Sequence, residues 1–274
     1  MQKLYEILAL VKKTGDFGIE IEVEGENLPA INNQYWTTEE DGSLRNGKEY
    51  IFTQPRSLKS VPTLLKTLNK EFENNESELS FSFRTSVHVH MNVQQLTHVQ
   101  ILNVIYTYLL LEDPMLNYCG ESRKGNRFCL RLEDAEGLMN GLSRLFEGNE
   151  RSLRNILFDA YRYSSINIEA LKKYGSLEFR ALSGTVDVSR ITTWCKALFN
   201  IRKFAMEQEN PARIHNLYIQ QEAEGFLKNV LGEVSPSFEY PEMIKGIQRS
   251  FSLSIDLPFL YSSAQADKVV AAGH

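Results

Sequence analysis

Gly18-Ile19-Glu20-Ile21-Glu22-Val23-Glu24 alternates aliphatic and acidic side chains with the period of a strand that buries one face. The other face carries three carboxylates, each roughly 7 Å from the next at strand rise. At an effective dielectric near 20, neighbouring acids repel by about 2 kcal/mol. Such a strand either turns its acids to bulk water or holds a cation over them. Two later segments repeat the arrangement. In Val87-His88-Val89-His90-Met91-Asn92-Val93 the apolar residues share one face and His88, His90 and Asn92 the other. In Leu177-Glu178-Phe179-Arg180-Ala181, Glu178 and Arg180 lie opposite Leu177 and Phe179, and Ser165-Ile166-Asn167-Ile168 presents Asn167 in the same way. Singly, each segment fits an ordinary solvated strand. Together they offer carboxylates, imidazoles, an amide and a guanidinium, the groups that hold hard divalent cations and phosphate oxygens. Glu20, Glu22, Glu49 and Glu178 would supply oxygen ligands and His88 a nitrogen. That oxygen-rich set suits magnesium or manganese better than zinc.

The elements that must position these groups follow from patterning and punctuation. Asn46-Gly47 predicts a hairpin turn with Glu49–Thr53 as its return strand, and Tyr35–Thr37 a short strand before it. Helices are predicted over Pro62–Phe72 after Ser60, from Thr97 through Leu111, and from Ser189 through Phe204. Further helical patterns cover Ala135–Phe146, Glu150–Tyr161, Ile214–Val230 and Pro241–Ser250. The economical arrangement is an α+β domain over residues 1–261, with an antiparallel or mixed sheet whose apolar side carries the helices and whose charged side lines a cavity. Residues 262–274, rich in Ala and Ser, are predicted to fray. Leu116–Leu132 is a loop-like stretch with Arg123, Lys124, Arg127 and Arg131, which is either solvated or grips an anion.

Composition narrows the function classes. A net charge of −5 argues against a nucleic-acid-binding surface. Cys119, Cys129 and Cys195 are odd in number and lack any Cys-x-x-Cys spacing, which excludes zinc-ribbon and disulfide-framework readings and fits a reducing, cytoplasmic setting. Met1–Lys13 has no signal-peptide core, and no apolar run reaches the length of a membrane span, so no membrane partner is expected.

Several motifs carry a more specific resemblance. Phe17-Gly18-Ile19-Glu20-Ile21-Glu22, Asp41-Gly42-Ser43-Leu44 with Gly47-Lys48-Glu49, Ser86-Val87-His88-Val89-His90-Met91-Asn92, and Gly175-Ser176-Leu177-Glu178-Phe179-Arg180 with Gly184-Thr185 follow one another from Asp16 to Trp194. In order and spacing they resemble the amidoligase family, part of the carboxylate–amine ligase superfamily of glutamine synthetase and glutamate–cysteine ligase. The resemblance implies a curved, mainly antiparallel, glutamine-synthetase-like sheet. Helices would pack on its convex face, and ATP and magnesium (or manganese) would bind on its concave face. It implies Glu20, Glu22, Glu49, His88 and Glu178 as metal ligands, and His90, Asn92, Asn167, Arg180 and Arg127 as groups on the nucleotide side. Arg180 would also stabilise the transferring phosphoryl group, Arg162 would lie near phosphate or substrate, and Asp41 would orient the amine or a ligand.

The implied activity is ATP-dependent joining of a small-molecule or peptide carboxylate to an amine, giving an amide or isopeptide bond through an acyl phosphate. A carboxylate acylates poorly because oxide leaves poorly, whereas phosphate leaves readily. The site must neutralise phosphate charge, align donor and acceptor, and exclude water. None of these tasks needs a nucleophilic Cys or Ser. Two alternatives stand beside this one: a guanidino-kinase-like phosphotransferase, which would release a phosphorylated product instead of an amide and free phosphate, and a non-catalytic protein that retains the fold.

Overall fold

A computed structural model of the chain describes residues 1–127, 129–131, 134, 136–155 and 163–272. A short helix, α1 (Leu4–Ile7), leads to the long strand β1 (Phe17–Glu26). Then come β2 (Trp36–Glu39), β3 (Gly47–Phe52), α2 (Val61–Asn74), β4 (Glu78–Ser80) and β5 (Ser86–Asn92). Helices α3 (His98–Leu110), α4 (Glu112–Cys119) and α5 (Glu136–Glu147) precede β6 (Ile166–Asn167), α6 (Ala170–Tyr174) and β7 (Ser176–Ser183). The chain finishes with α7 (Val188–Glu207), α8 (Pro211–Leu231), α9 (Met243–Ser254) and α10 (Leu257–Ala272). The last of these covers most of the stretch predicted to fray.

Period-2 alternation decides which side of the sheet is core. Ile19, Ile21 and Val23 of β1, Val87, Val89 and Met91 of β5, and Leu177, Phe179 and Ala181 of β7 are all fully buried. Helices α2, α3 and α7 cover this side. Phe72 of α2 meets Tyr50 of β3 edge-on at 4.9 Å, and Tyr108 of α3 meets Phe179 at 4.8 Å. Helix α3 is buried without a break from Ile101 to Leu110, as a helix with apolar residues all round must be. Its outer side packs against α8 and α9. The molecule is therefore sheet, inner helices and outer helices in succession.

The sheet runs β2-β3-β1-β5-β7-β6, with β4 pairing to the far end of β1. Every ladder between these strands is antiparallel, and one isolated parallel bridge joins Leu130 to Ser164. This corrects the expected curved, glutamine-synthetase-like sheet. The observed sheet is open, neither curled nor closed, because its path ends at β2 and β6. Those end strands have only four and two residues, too little ladder to roll the sheet round a ligand. The walls over the polar face are supplied instead by α6 and the connecting loops.

Two local expectations also change. Asn46-Gly47 is not a two-residue hairpin turn, since residues 40–46 separate β2 from β3. Asn46 (φ 49°) closes that loop through its side-chain amide, which donates to Gly25 O at 2.8 Å and Glu26 Oε1 at 2.9 Å. Gly47 is required there, because a Cβ would lie 2.8 Å from Val23 O. Helix α7 is capped by Asp187 rather than Ser189. The Asp187 carboxylate accepts the Arg190 N–H at 2.9 Å, and a carboxylate also suits the positive end of the helix dipole.

Candidate functional site

Strand register turns three separate sequence patterns into one surface. Across β1 and β5, Glu20 stands opposite His88 and Gly18 opposite His90. Across β5 and β7, His90 stands opposite Glu178, which in turn faces Asn167 of β6. On the other side of β1, Glu22 faces Glu49, and Glu49 faces Glu39 of β2. Gly18 leaves the floor beside His90 clear, since a Cβ there would lie 3.4 Å from the His90 Cβ.

The groups interlock closely. His88 Nδ1 is 3.3 Å from Glu20 Oε2 and 3.8 Å from Glu178 Oε1. His90 Nδ1 lies 3.1 Å from Ser176 Oγ, and its Nε2 lies 3.1 Å from Glu20 Oε1. That second contact is an ion-pair distance but lies off the hydrogen-bond line, so Nε2 is buried without a hydrogen-bond partner. Glu178 is flanked by Arg180, which pairs with Oε1, and by Asn167, whose amide donates to Oε2 at 2.7 Å. Glu22 is tied to Ser86, whose backbone N–H and hydroxyl both reach Oε2, at 2.7 and 2.6 Å.

Proton affinities follow these contacts. Burial pushes the Glu20 carboxyl up, but the hydrogen bond from His88, the close approach of His90 and the charge of both outweigh it and hold Glu20 well below the usual range. Burial likewise opposes ionisation of Glu178, and the charges of His90 and Arg180 overcome it. His90 is raised, because the close approach and charge of Glu20 outweigh its burial. Glu49 lacks such help. Burial and the nearby Glu20, Glu22, Asp41 and Glu39 charges push its carboxyl up to about 8.

Two trios of donor atoms lie within 4.8 Å of one another: Glu20, His90 and Glu178, and Glu20, Glu49 and His88. Donors around one magnesium ion span at most about 4.2 Å, so small side-chain adjustments suffice to close either trio on a cation. The orphaned His90 Nε2 and the mutually repelling acids around Glu49 are what a bound cation would satisfy. Carboxylate oxygens with single imidazole nitrogens can hold a divalent cation. Glu20 belongs to both trios and Glu22 to neither.

Two clefts meet over this surface. One of about 330 Å³ is bordered by Glu20, His90, Asn167, Lys173, Glu178 and Arg180. The other, about 490 Å³, is bordered by Glu20, Glu39, Glu49, His90 and Asn92 with Lys13 and Lys173. Tyr174 borders both, with its ring edge-on to His90 at 5.4 Å.

The remaining sequence-predicted residues are distributed as follows. Asn92 lines the second cleft, and its amide donates to Gly15 O at 2.9 Å and Lys13 O at 3.2 Å, which fastens the N-terminal segment. Asp41 lies on the β2–β3 loop, turning it by accepting the Ser43 N–H at 2.7 Å, and borders a separate hollow with Gly25 and Lys48. Arg127 is exposed on the loop between α4 and α5, away from the linings of both clefts. Arg162 lies outside the described residues. The basic-loop residue Arg123 does not face an anion site. It is 1% exposed and donates to Ala181 O at 3.0 Å and Arg180 O at 2.8 Å. These carbonyls lie where the β5–β7 register slips by a residue, and Arg123 satisfies backbone acceptors that the bulge leaves unpaired.

Ser86, Ser176 and Tyr174 have no sequence-assigned role. The alternation itself held the signal for the two serines, since Ser86-x-His88 and Ser176-x-Glu178 share the polar face. Tyr174 sits at the end of α6 and had no such pattern.

Among the described residues, no helix is long and apolar enough to cross a membrane, and the three cysteines are buried and free. No curated protein matches the sequence significantly. A family profile described as "Putative amidoligase enzyme" matches residues 51–201, the segment that carries His88, His90, Asn167, Glu178 and Arg180 and that the sheet joins to Glu20 and Glu49. With more than half of its length matched, the chain belongs to that amidoligase family.

Proposed function

We propose that the protein is an ATP- and magnesium-dependent carboxylate–amine ligase that forms an amide or isopeptide bond through an acyl phosphate. The observation that carries this reading is the convergence of Glu20, Glu49, His88, His90 and Glu178 from four strands on one polar face, beside Arg180 and between two clefts. Glu20, Glu49, His88, His90 and Glu178 would hold the cations. Bound cations supply charge neutralisation for the triphosphate and for the phosphoryl group in transit.

The chain's own groups do the rest. Arg180 borders the smaller cleft and places a fixed guanidinium where phosphoryl oxygens would gather charge. Asn167 holds Glu178 in place through Oε2 and lines the same cleft, where it would contact a nucleotide bound there. Glu39, on the rim of the larger cleft, offers a carboxylate to an approaching ammonium group, and Lys13 and Lys173 offer cations to a carboxylate. A substrate carboxylate bound between the clefts would take the γ-phosphoryl group from one side and the amine from the other. No covalent attachment to the protein is required.

The test is product analysis. Purified protein with ATP, magnesium and a mixture of carboxylates and amines should release ADP and free phosphate together with an amide, read by mass spectrometry. ADP accompanied by a phosphorylated guanidine or amine would replace the ligase with a kinase.

A further inference from the structure

Between Glu22 and His88 lies a hydroxyl that touches both. Ser86 Oγ is 2.6 Å from Glu22 Oε2 and 2.7 Å from His88 Nε2. All three residues are at least 95% buried, so water does not compete for these bonds. A hydroxyl has one proton to give and two lone pairs to receive with. Glu22 Oε2 already accepts the Ser86 backbone N–H at 2.7 Å, and a carboxylate oxygen is the stronger acceptor of the two neighbours. The Ser86 proton therefore goes to Glu22, and the oxygen receives the N–H of His88 Nε2.

This fixes the imidazole. With Nε2 held by Ser86, it is Nδ1 that meets Glu20 Oε2 at 3.3 Å and Glu178 Oε1 at 3.8 Å. Giving up the Nδ1 proton turns its lone pair toward a cation held by these carboxylates. A ligating histidine whose other nitrogen is held by a hydrogen bond is oriented and made a better donor.

We propose that Ser86 and Glu22 form a positioning relay, Glu22 to Ser86 to His88, that presents His88 Nδ1 to the cation. Glu22 then acts through Ser86 instead of binding the ion itself. This deepens the ligase reading and rests on its cation site, but it concerns residues to which that reading gives no such role.

Manganese titration of the metal-free full-length protein, with free ion followed by electron paramagnetic resonance, tests it. Glu20→Gln should lose most binding. Ser86→Ala and Glu22→Gln should each weaken it by about 10–100-fold, and the double variant should be no weaker than either single one. Ser86→Thr, which keeps the hydroxyl, should bind as the unaltered protein does. A long-range 1H–15N spectrum of the magnesium-loaded protein should place the His88 proton on Nε2. The relay is overturned if Glu22→Gln is as damaging as Glu20→Gln, if the two losses add, or if the proton sits on Nδ1. Glu22→Gln is nearly isosteric and carries the comparison should Ser86→Ala fail to fold. Absence of manganese binding by the unaltered protein would remove the cation site and the relay together. Normal binding by both that protein and Ser86→Ala would remove the relay alone.

Discussion

At the β7 end of the polar face, Glu178 meets Arg180, Asn167 and His90, and its carboxyl is held below the usual range. At the β3 end, Glu49 stands opposite Glu22 on one side and Glu39 on the other, and its carboxyl is pushed up to about 8. Both ends have the same strand geometry, and Glu178 is the more deeply buried of the two acids, Glu49 being only half-buried. The partner sets differ as well: cationic and amide groups at one end, carboxylates at the other. The first end is organised before any cation arrives. The second keeps a proton where a cation would go, so metal binding there is coupled to proton release.

Glu20 is the hinge of the comparison because it reaches both histidines and belongs to both trios. Glu20→Ala should therefore lower cation-dependent ADP formation by at least about a hundredfold, with a circular dichroism spectrum unchanged. Glu178→Ala should approach the same loss. If both variants turn over ATP normally in a coupled ADP assay, neither end of the row is catalytic.

How much of this was legible beforehand depended on the kind of information required. Alternation in 18–24, 87–93 and 177–181 assigns Glu20, His88, His90 and Glu178 to one face correctly, because a buried face leaves no freedom in a period of two. Neighbour relations are another matter. That Glu22 lies beside Ser86 and Glu49, while Glu20 lies beside both histidines, depends on register, which the pattern along one strand does not contain. The sheet's openness depends on how short β2 and β6 are, and ladder length is a property of pairs of strands. Arg123 shows the limit most clearly. In sequence it is one of several basic residues in a Gly-containing loop. In the fold it is buried beneath β7, since a bulge there exposes two carbonyls that need donors.

Arg123 also sharpens the contrast, since it supports the β7 end from behind. Arg123→Met should destabilise the protein by about 2 kcal/mol through the carbonyls left without partners, measured by urea denaturation. Arg127→Met, on the same loop but exposed, should stay within about 0.5 kcal/mol. Equal effects would mean that Arg123 is no more structural than its neighbour.

The subtlest difference between the two ends should appear in how stability depends on pH. Folded Glu49 keeps its proton to about pH 8, whereas its ordinary value is 4.5. Between those values the folded state binds more protons than the unfolded one, so raising the pH favours unfolding. The raised His90 acts in the same sense, its contribution being lost as pH rises through its folded value. The lowered Glu20 and Glu178 contribute stability above the ordinary carboxylate value and lose it on acidification, outside this window. Metal-free protein should thus melt at progressively lower temperature from pH 5 to pH 8. Glu49→Gln should flatten that decline and melt roughly 2–6 °C higher than the unaltered protein at pH 8, equivalent to about 1–2 kcal/mol. Saturating magnesium should flatten it as well, because a cation takes the place of the proton. An alkaline decline that persists in both the variant and the magnesium-loaded protein would mean that the crowding of acids around Glu49 is not what sets it.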